Sequence, residues 1–193
     1  MPRHFILASG SPRRRELLRE AGYEFEVVSP PVDEVAHDWL TICELTTWNA
    51  ARKAASVSTT GPEAVVLAAD TLVTLDGKVL GKPADFADAF DMLRGLSGHG
   101  HEVWTAVRIC HAASGKSESF HEVSYVHFRA LDDDAIWAYL AKVDPLDKAG
   151  AYAAQGHGRD IIERIDGSYT NVVGLPMEKT RRILRSFGVT PAA

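Results

Sequence analysis

The run Ala64-Val65-Val66-Leu67-Ala68-Ala69, closed by Asp70, constrains the fold of this chain more than any other segment. A short, nearly continuous apolar run of this kind belongs to a strand covered on both faces, and such strands sit in sheets with helices packed against them. A carboxylate directly after the run has two readings. Ligands collect at the carboxyl ends of buried strands in open α/β sheets, which makes Asp70 a candidate functional residue. Alternatively, its side chain caps a turn.

The surrounding segments supply the rest of an α/β protein. Phe5 to Ala8 reads as a strand, Ser9-Gly10-Ser11-Pro12 as a tight turn, and Arg13 to Gly22 as a helix with Leu17, Leu18 and Ala21 at helical spacing. Pro12 suits the first helical turn and Gly22 the stop. Phe25 to Val28 predicts a second strand and Thr41 to Ser58 a long helix. Leu72 to Leu75 and Lys78 to Leu80 flank Asp76-Gly77, a strong two-residue hairpin signal. Phe86 to Leu96 predicts a helix with Asp85 as its N-cap. Glu102 to Cys110 and Ser119 to Arg129 predict two long antiparallel strands around Ser114-Gly115-Lys116. Asp132-Asp133-Asp134 opens a helix carrying Ile136, Trp137, Tyr139 and Leu140, followed by a short strand over Ile161 to Ile165 and a closing helix over Met177 to Phe187. Crossover units mixed with a hairpin call for an α/β fold with a mixed sheet. No linker or repeat divides the chain, so a single domain over residues 1–193, built as two lobes, is expected.

Composition narrows the function classes. At 193 residues, 46% hydrophobic and 24% charged, the chain is long enough to bury a substantial core. Its formal net charge of -5 offers no global basic field for DNA or a membrane surface. Cys43 and Cys110 are far apart and in no metal-like spacing, which predicts two buried thiols and no disulfide. The apolar start is interrupted too soon for a secretory segment, and no stretch approaches the roughly 18 apolar residues of a membrane helix. A cytoplasmic location, with no nucleic-acid or membrane partner, is the expectation.

Several segments are candidates for anion chemistry. Ser9-Gly10-Ser11-Pro12-Arg13-Arg14-Arg15 places small residues, hydroxyls and guanidinium groups between a strand and a helix N-terminus, a favourable setting for phosphate; a loop with solvated arginines is the plainer alternative. No Walker loop, dinucleotide fingerprint or serine nucleophile elbow occurs. Asp33-Glu34 lies in a loop after Pro30-Pro31, and hard oxygen ligands of this type hold Mg²⁺ or Mn²⁺ together with substrate phosphates. Lys53 in the long helix and Lys82 in Gly81-Lys82-Pro83 are each either surface lysines or phosphate ligands. Gln155 follows a stretch of small residues, Ala149-Gly150-Ala151-Tyr152-Ala153-Ala154, and its amide offers both a donor and an acceptor for a nucleobase edge. His99-Gly100-His101 lacks a third soft ligand at matching spacing and reads as ordinary hydrogen bonding.

Taken in order, Leu7-Ala8-Ser9-Gly10-Ser11-Pro12-Arg13-Arg14, Asp33-Glu34, Ala69-Asp70-Thr71, Gly81-Lys82-Pro83, Leu96-Ser97-Gly98, Asp147-Lys148-Ala149-Gly150-Ala151-Tyr152 and Gly167-Ser168-Tyr169-Thr170-Asn171-Val172-Val173-Gly174-Leu175-Pro176 resemble the Maf family of nucleotide pyrophosphatases over nearly the whole chain. The resemblance implies an elongated mixed sheet with flanking helices and a central cleft, similar to the inosine triphosphate pyrophosphatases, and a homodimer. It implies hydrolysis of a nucleoside triphosphate to its monophosphate and pyrophosphate with a divalent cation, Mg²⁺ or Mn²⁺. Asp70 then corresponds to the catalytic carboxylate, Glu34 to its acidic partner near the metal, and Lys53 and Lys82 to phosphate-facing lysines. Ser9 and Arg13 fall on the phosphate turn, and Arg13, Thr71 and Gln155 match positions tied to substrate choice in the branch acting on dTTP and UTP. The chain departs from the family pattern at Ala153-Ala154, where Gly-Ile is usual, and at Arg52, where a glutamate often precedes the lysine. A reading of a different class stays open at this point: a nucleotide-binding regulator of septum formation with little turnover.

Overall fold

The computed structural model describes residues 3–35, 39–59 and 61–192. Its strands are β1 (Phe5–Ala8), β2 (Glu26–Val28), β3 (Val65–Leu75), β4 (Lys78–Leu80), β5 (Gly100–His111), β6 (Lys116–Phe128) and β7 (Ile162–Asp166). The helices are α1 (Pro12–Glu20), α2 (Ile42–Ser58), α3 (Phe86–Leu96), α4 (Asp133–Leu140), α5 (Gly158–Ile161), α6 (Tyr169–Val173) and α7 (Met177–Ser186). The strands form one sheet in the order β2-β1-β3-β5-β6-β7, with β4 paired to β3. Parallel pairing of β1 with β2 and β3, and antiparallel pairing of β3 with β4 and of β6 with β7, make the sheet mixed, as the element pattern predicts.

The apolar run and the hairpin arm that follows it are one strand. β3 continues for 11 residues from Val65 to Leu75, through Asp70 and Thr71, where the sequence suggests a break. The turn-capping reading of Asp70 therefore fails: its carboxylate is satisfied by side chains instead, so the backbone has no need to turn. Asp76 and Gly77, both at positive φ, make the turn into β4.

The chain forms two compact units, one comprising Met1–Asp70, Thr105–Glu122 and Gly174–Ala193, the other Thr71–Trp104 and Val123–Val173. In the first, Ile6, Ala8, Val66 and Ala68 from β1 and β3 pack on Ala54 and Val57 of α2. The small alanines let the helix approach closely and carry its polar residues to the sheet. A capping box fixes the start of α2: Thr41 accepts from the Glu44 backbone N–H while Glu44 accepts from that of Thr41. In the second unit, Leu93 and Leu96 of α3, Ile136, Tyr139 and Leu140 of α4, and Val103, Val126 and Phe128 of the sheet enclose Ala151 and Tyr152. Both cysteines are free and only half-buried, more exposed than expected.

Candidate active site

Asp70 leaves the middle of β3 into a nearly dry environment, its side chain 3% exposed. The partners that make this tolerable come from α2. Asn49 and Lys53, one helical turn apart, lie on the same face and both reach it: Lys53 Nζ donates to Oδ1 at 2.6 Å and Asn49 Nδ2 to Oδ2 at 3.4 Å. The same ammonium donates to Glu34 Oε1, also at 2.6 Å. Glu34 belongs to the rim, with half of its side chain exposed, so the lysine links a buried carboxylate to an accessible one. Asn49 also fastens the loop that carries Glu34: its Nδ2 donates to Val35 O at 3.1 Å and its Oδ1 accepts from Val35 N at 2.9 Å.

A second cation faces this cluster. Arg14 is buried in the first turn of α1, with Nε donating to Gly174 O at 2.8 Å and Nη1 to Ser9 Oγ at 3.1 Å. Burial pushes its guanidinium below its ordinary value, opposed by the charges of Asp70 and Glu34. Asp70 is shifted the other way. Burial raises its carboxyl above the usual carboxylate range, Lys53 and Arg14 oppose that rise, and Glu34 adds to it.

The turn before α1 is organised from within. Ser11 caps the helix by accepting from Arg14 N, and Ser9 Oγ accepts from Ser11 N at 3.2 Å as well as from Arg14. Ser9 is thus buried and shapes the turn, whereas Arg13 is half-buried at the helix N-terminus. Asp70, Glu34, Lys53, Ser9 and Arg13 all belong to the first unit.

The other expected residues belong to the second unit. Thr71, next to Asp70 on β3, is half-buried, as is Gln155; Lys82 is exposed after β4. The segment carrying Lys82 is joined to the one leading to Gln155, because Gly150 N donates to Gly81 O at 3.0 Å. His99 and His101 do not act as a pair. His99 is exposed, while His101 is buried against Tyr152.

Two residues at the centre escaped the sequence reading. Arg14 had a legible signal: it is in helical register with both Leu17 and Leu18, the inward face of α1, whereas Arg13 is in register with Leu17 alone. Asn49 carried the weaker signal of sitting four residues before Lys53.

No group of three or more histidine, cysteine, aspartate or glutamate side chains is placed to hold a metal ion among the described residues. A pair of hard carboxylates, Asp70 and Glu34, converges on one ammonium, and that donor set suits Mg²⁺ or Mn²⁺, which take one or two carboxylates and complete their shell with substrate phosphates and water.

Chemically, this is a carboxylate, ammonium and guanidinium centre beside a helix N-terminus in a mixed α/β protein. The Maf-like protein family model matches residues 4–187, and the chain belongs to that family. A protein of Pelotomaculum thermopropionicum named dTTP/UTP pyrophosphatase is 45% identical over 186 residues, covering 96% of this chain and 97% of its own. Proteins of the same name from Bacillus pumilus and Bdellovibrio bacteriovorus are 44% and 45% identical, covering 96% and 94% of this chain and 97% of each of theirs. Among solved structures, the Staphylococcus aureus Ham1 protein aligns with 65% of this chain and 71% of its own at 14% identity and a TM-score of 0.46.

Proposed function

We propose that this protein is a nucleoside triphosphate pyrophosphatase that hydrolyses dTTP and UTP to the nucleoside monophosphate and pyrophosphate. The observation that carries the reading is the buried Asp70 held by Lys53 and Asn49, in a chain of the same family and length as relatives named for that activity. Binding alone would preserve the phosphate turn yet would not require Asp70 together with Glu34. A hydrolase uses the buried carboxylate to accept a proton.

In this reading water attacks the α-phosphorus, its proton passes to a carboxylate oxygen of Asp70, and the bond from the α-phosphorus to the bridging oxygen breaks, so that pyrophosphate leaves with that electron pair. Burial raises the basicity of Asp70, whereas a dication held by it would lower it, so Asp70 serves as the proton acceptor when the dication is carried by Glu34 and the substrate phosphates and otherwise acts as a metal ligand. Lys53 orients the carboxylate and, with Arg13, bears the growing negative charge on the phosphates, a role that the family resemblance also assigns to Lys82. Arg14 holds the phosphate turn in shape through Ser9. Asp70 and Glu34 would hold the dication, which supplies neutralisation of phosphate charge. Thr71 and Gln155 are assigned to base recognition, the Gln155 amide pairing with the imide edge of uracil or thymine.

The family resemblance also supports a homodimer, which light scattering would test. No described helix is long and apolar enough to cross a membrane. The decisive assay is pyrophosphate release from dTTP, UTP, ATP and GTP with Mg²⁺ or Mn²⁺. Release from the two pyrimidine substrates well above the purines is expected. No release from any would overturn the reading in favour of a nucleotide-binding regulator, and a purine preference would overturn the substrate assignment alone.

A further inference from the structure

His101 belongs to the second unit, where it is among the most enclosed polar side chains, 2% exposed. Its ring meets Phe128 and Tyr152 edge-on, with centroids 5.0 and 5.3 Å away, and those two rings meet each other at 4.9 Å. The imidazole Nε2 lies 2.7 Å from the Tyr152 hydroxyl. Nδ1 is buried with no hydrogen-bond partner. Burial, with His127 adding to it, lowers the imidazole to about 4, and burial raises the phenol, so both are neutral near pH 7. The arrangement that leaves fewest polar atoms unpaired has the Tyr152 O–H donating to Nε2.

As packing alone, this histidine is a poor choice, because a buried polar atom without a partner is destabilising and an apolar ring would avoid it. What the ring adds is direction: it fixes one hydroxyl at one distance. The segment so fixed needs holding. Gly150 and Ala151 both have left-handed backbones, φ 70 and 62, and alanine adopts that region only when its surroundings impose it. Three further anchors hold the backbone on either side of Tyr152: Gly150 N to Gly81 O at 3.0 Å, Ala151 N to Lys148 O at 3.1 Å, and Ala153 N to the Tyr139 hydroxyl at 3.1 Å.

Beyond Ala153 the chain doubles back. Gly156 has φ 62, Gly158 N donates to Gln155 O at 3.2 Å, and a Cβ on Gly158 would lie 2.5 Å from Ala153 O. Gln155 therefore opens a tight turn with Gly156 and His157 at its corner, and the turn closes back on Ala153, next to Tyr152, so the position of Gln155 is set from that base.

We propose that His101 is a positioning residue for substrate choice: through the Tyr152 hydroxyl it sets the turn that presents Gln155. The inference rests on the proposed function, in which Gln155 reads the base. The role assigned to His101 includes no contact with the substrate and no part in the hydrogen bonds around Asp70.

The test compares wild type with His101→Phe, Tyr152→Phe, the double variant and His101→Gln, which restores a hydrogen-bonding group near the place of Nε2. The readouts are kcat and KM for dTTP and ATP, and hydrogen exchange of the amides over residues 152–158. Each single loss of the bond is expected to narrow the dTTP-to-ATP ratio of kcat/KM roughly five- to tenfold, the size of one buried neutral hydrogen bond, chiefly through a higher KM for dTTP. The double variant should be no worse than either single one, exchange over 152–158 should quicken, and His101→Gln should recover most of the ratio. If His101→Phe fails to fold, Tyr152→Phe carries the same expectation with a smaller change. An unchanged ratio in a folded variant, or additive losses in the double variant, would overturn the inference while leaving the pyrophosphatase reading intact. A wild type that releases no pyrophosphate refutes that reading, and the role in base choice with it.

Discussion

Lys53 Nζ donates to Asp70 Oδ1 at 2.6 Å while the same ammonium holds Glu34 at the solvent edge. The buried carboxylate is therefore never without a counter-charge, yet it remains one side chain away from an exposed acid. Removing either member has a different consequence.

Asp70→Asn leaves Lys53 with Glu34 as a partner and keeps a hydrogen-bonding group of the same size, so the fold and nucleotide binding should persist while turnover falls about a hundredfold or more. Lys53→Met strands Asp70 without its ammonium and should cost about 3–5 kcal/mol of stability, the range seen when one partner of a buried pair is removed. Adding Asp70→Asn to Lys53→Met should recover much of that loss. Urea denaturation of the three variants and steady-state rates with dTTP check the set. A single Lys53→Met variant as stable as wild type would contradict the importance of the pair.

Chelation should abolish activity, and Mg²⁺ or Mn²⁺ should restore it, because the acidic groups gathered near the centre are hard oxygen donors. Full activity in excess chelator would remove the metal from the mechanism, and restoration by zinc alone would point to softer ligands.

Neighbouring arginines should behave differently. Arg13→Ala should raise KM for every triphosphate with little change in stability, since its side chain is only half-buried. Arg14→Ala removes the side-chain donor to Gly174 O and one of the two donors to Ser9 Oγ, and should destabilise the fold by about 2 kcal/mol as well as impair turnover. Gln155→Ala should instead erode the preference for uracil and thymine more than the rate of phosphate hydrolysis. A panel of kcat/KM values with melting temperatures separates the three.

His101 should leave a mark on the pH dependence of stability. Its imidazole is lowered to about 4 from an ordinary 6.5, so the unfolded chain takes up the proton more readily than the folded one. The stability contributed by burying the neutral ring is fully present above pH 6.5 and is lost as pH falls from there through 4, a change on the order of 3 kcal/mol. Asp70, raised by burial, acts in the opposite sense, being stabilised as pH falls. The difference between wild type and His101→Phe isolates the histidine: urea midpoints at pH 7.5 and 4.5 should drop further for wild type than for the variant. Parallel drops would show that the ring is protonated in the folded state.

The sequence by itself determined most of the strands and helices, because apolar periodicity, caps and turn residues act over a few positions: the run from Ala64 to Ala69, Asp85 as an N-cap, the acidic helix start at Asp132-Asp133-Asp134 and Asp76-Gly77 as a turn are all local signals, whereas the short helices α5 and α6 and the run of β3 through Asp70 lacked one. It also determined which chemical groups are available, and the ordered motifs from Leu7 to Pro176 pointed to the family. Which of those groups meet was decided by tertiary structure alone. Nothing local distinguishes Lys53, buried on Asp70, from Lys82, exposed after β4, since a lysine's environment is set by what folds over it. Asn49, Arg14 and Gly174 are brought to one centre by the packing of α2 and α1 on β1 and β3, across as many as 160 residues of chain. Asp70 shows the division most clearly. Local propensity allowed it to end a strand and cap a turn, but a lysine and an amide from α2 satisfied its carboxylate, and the strand ran on.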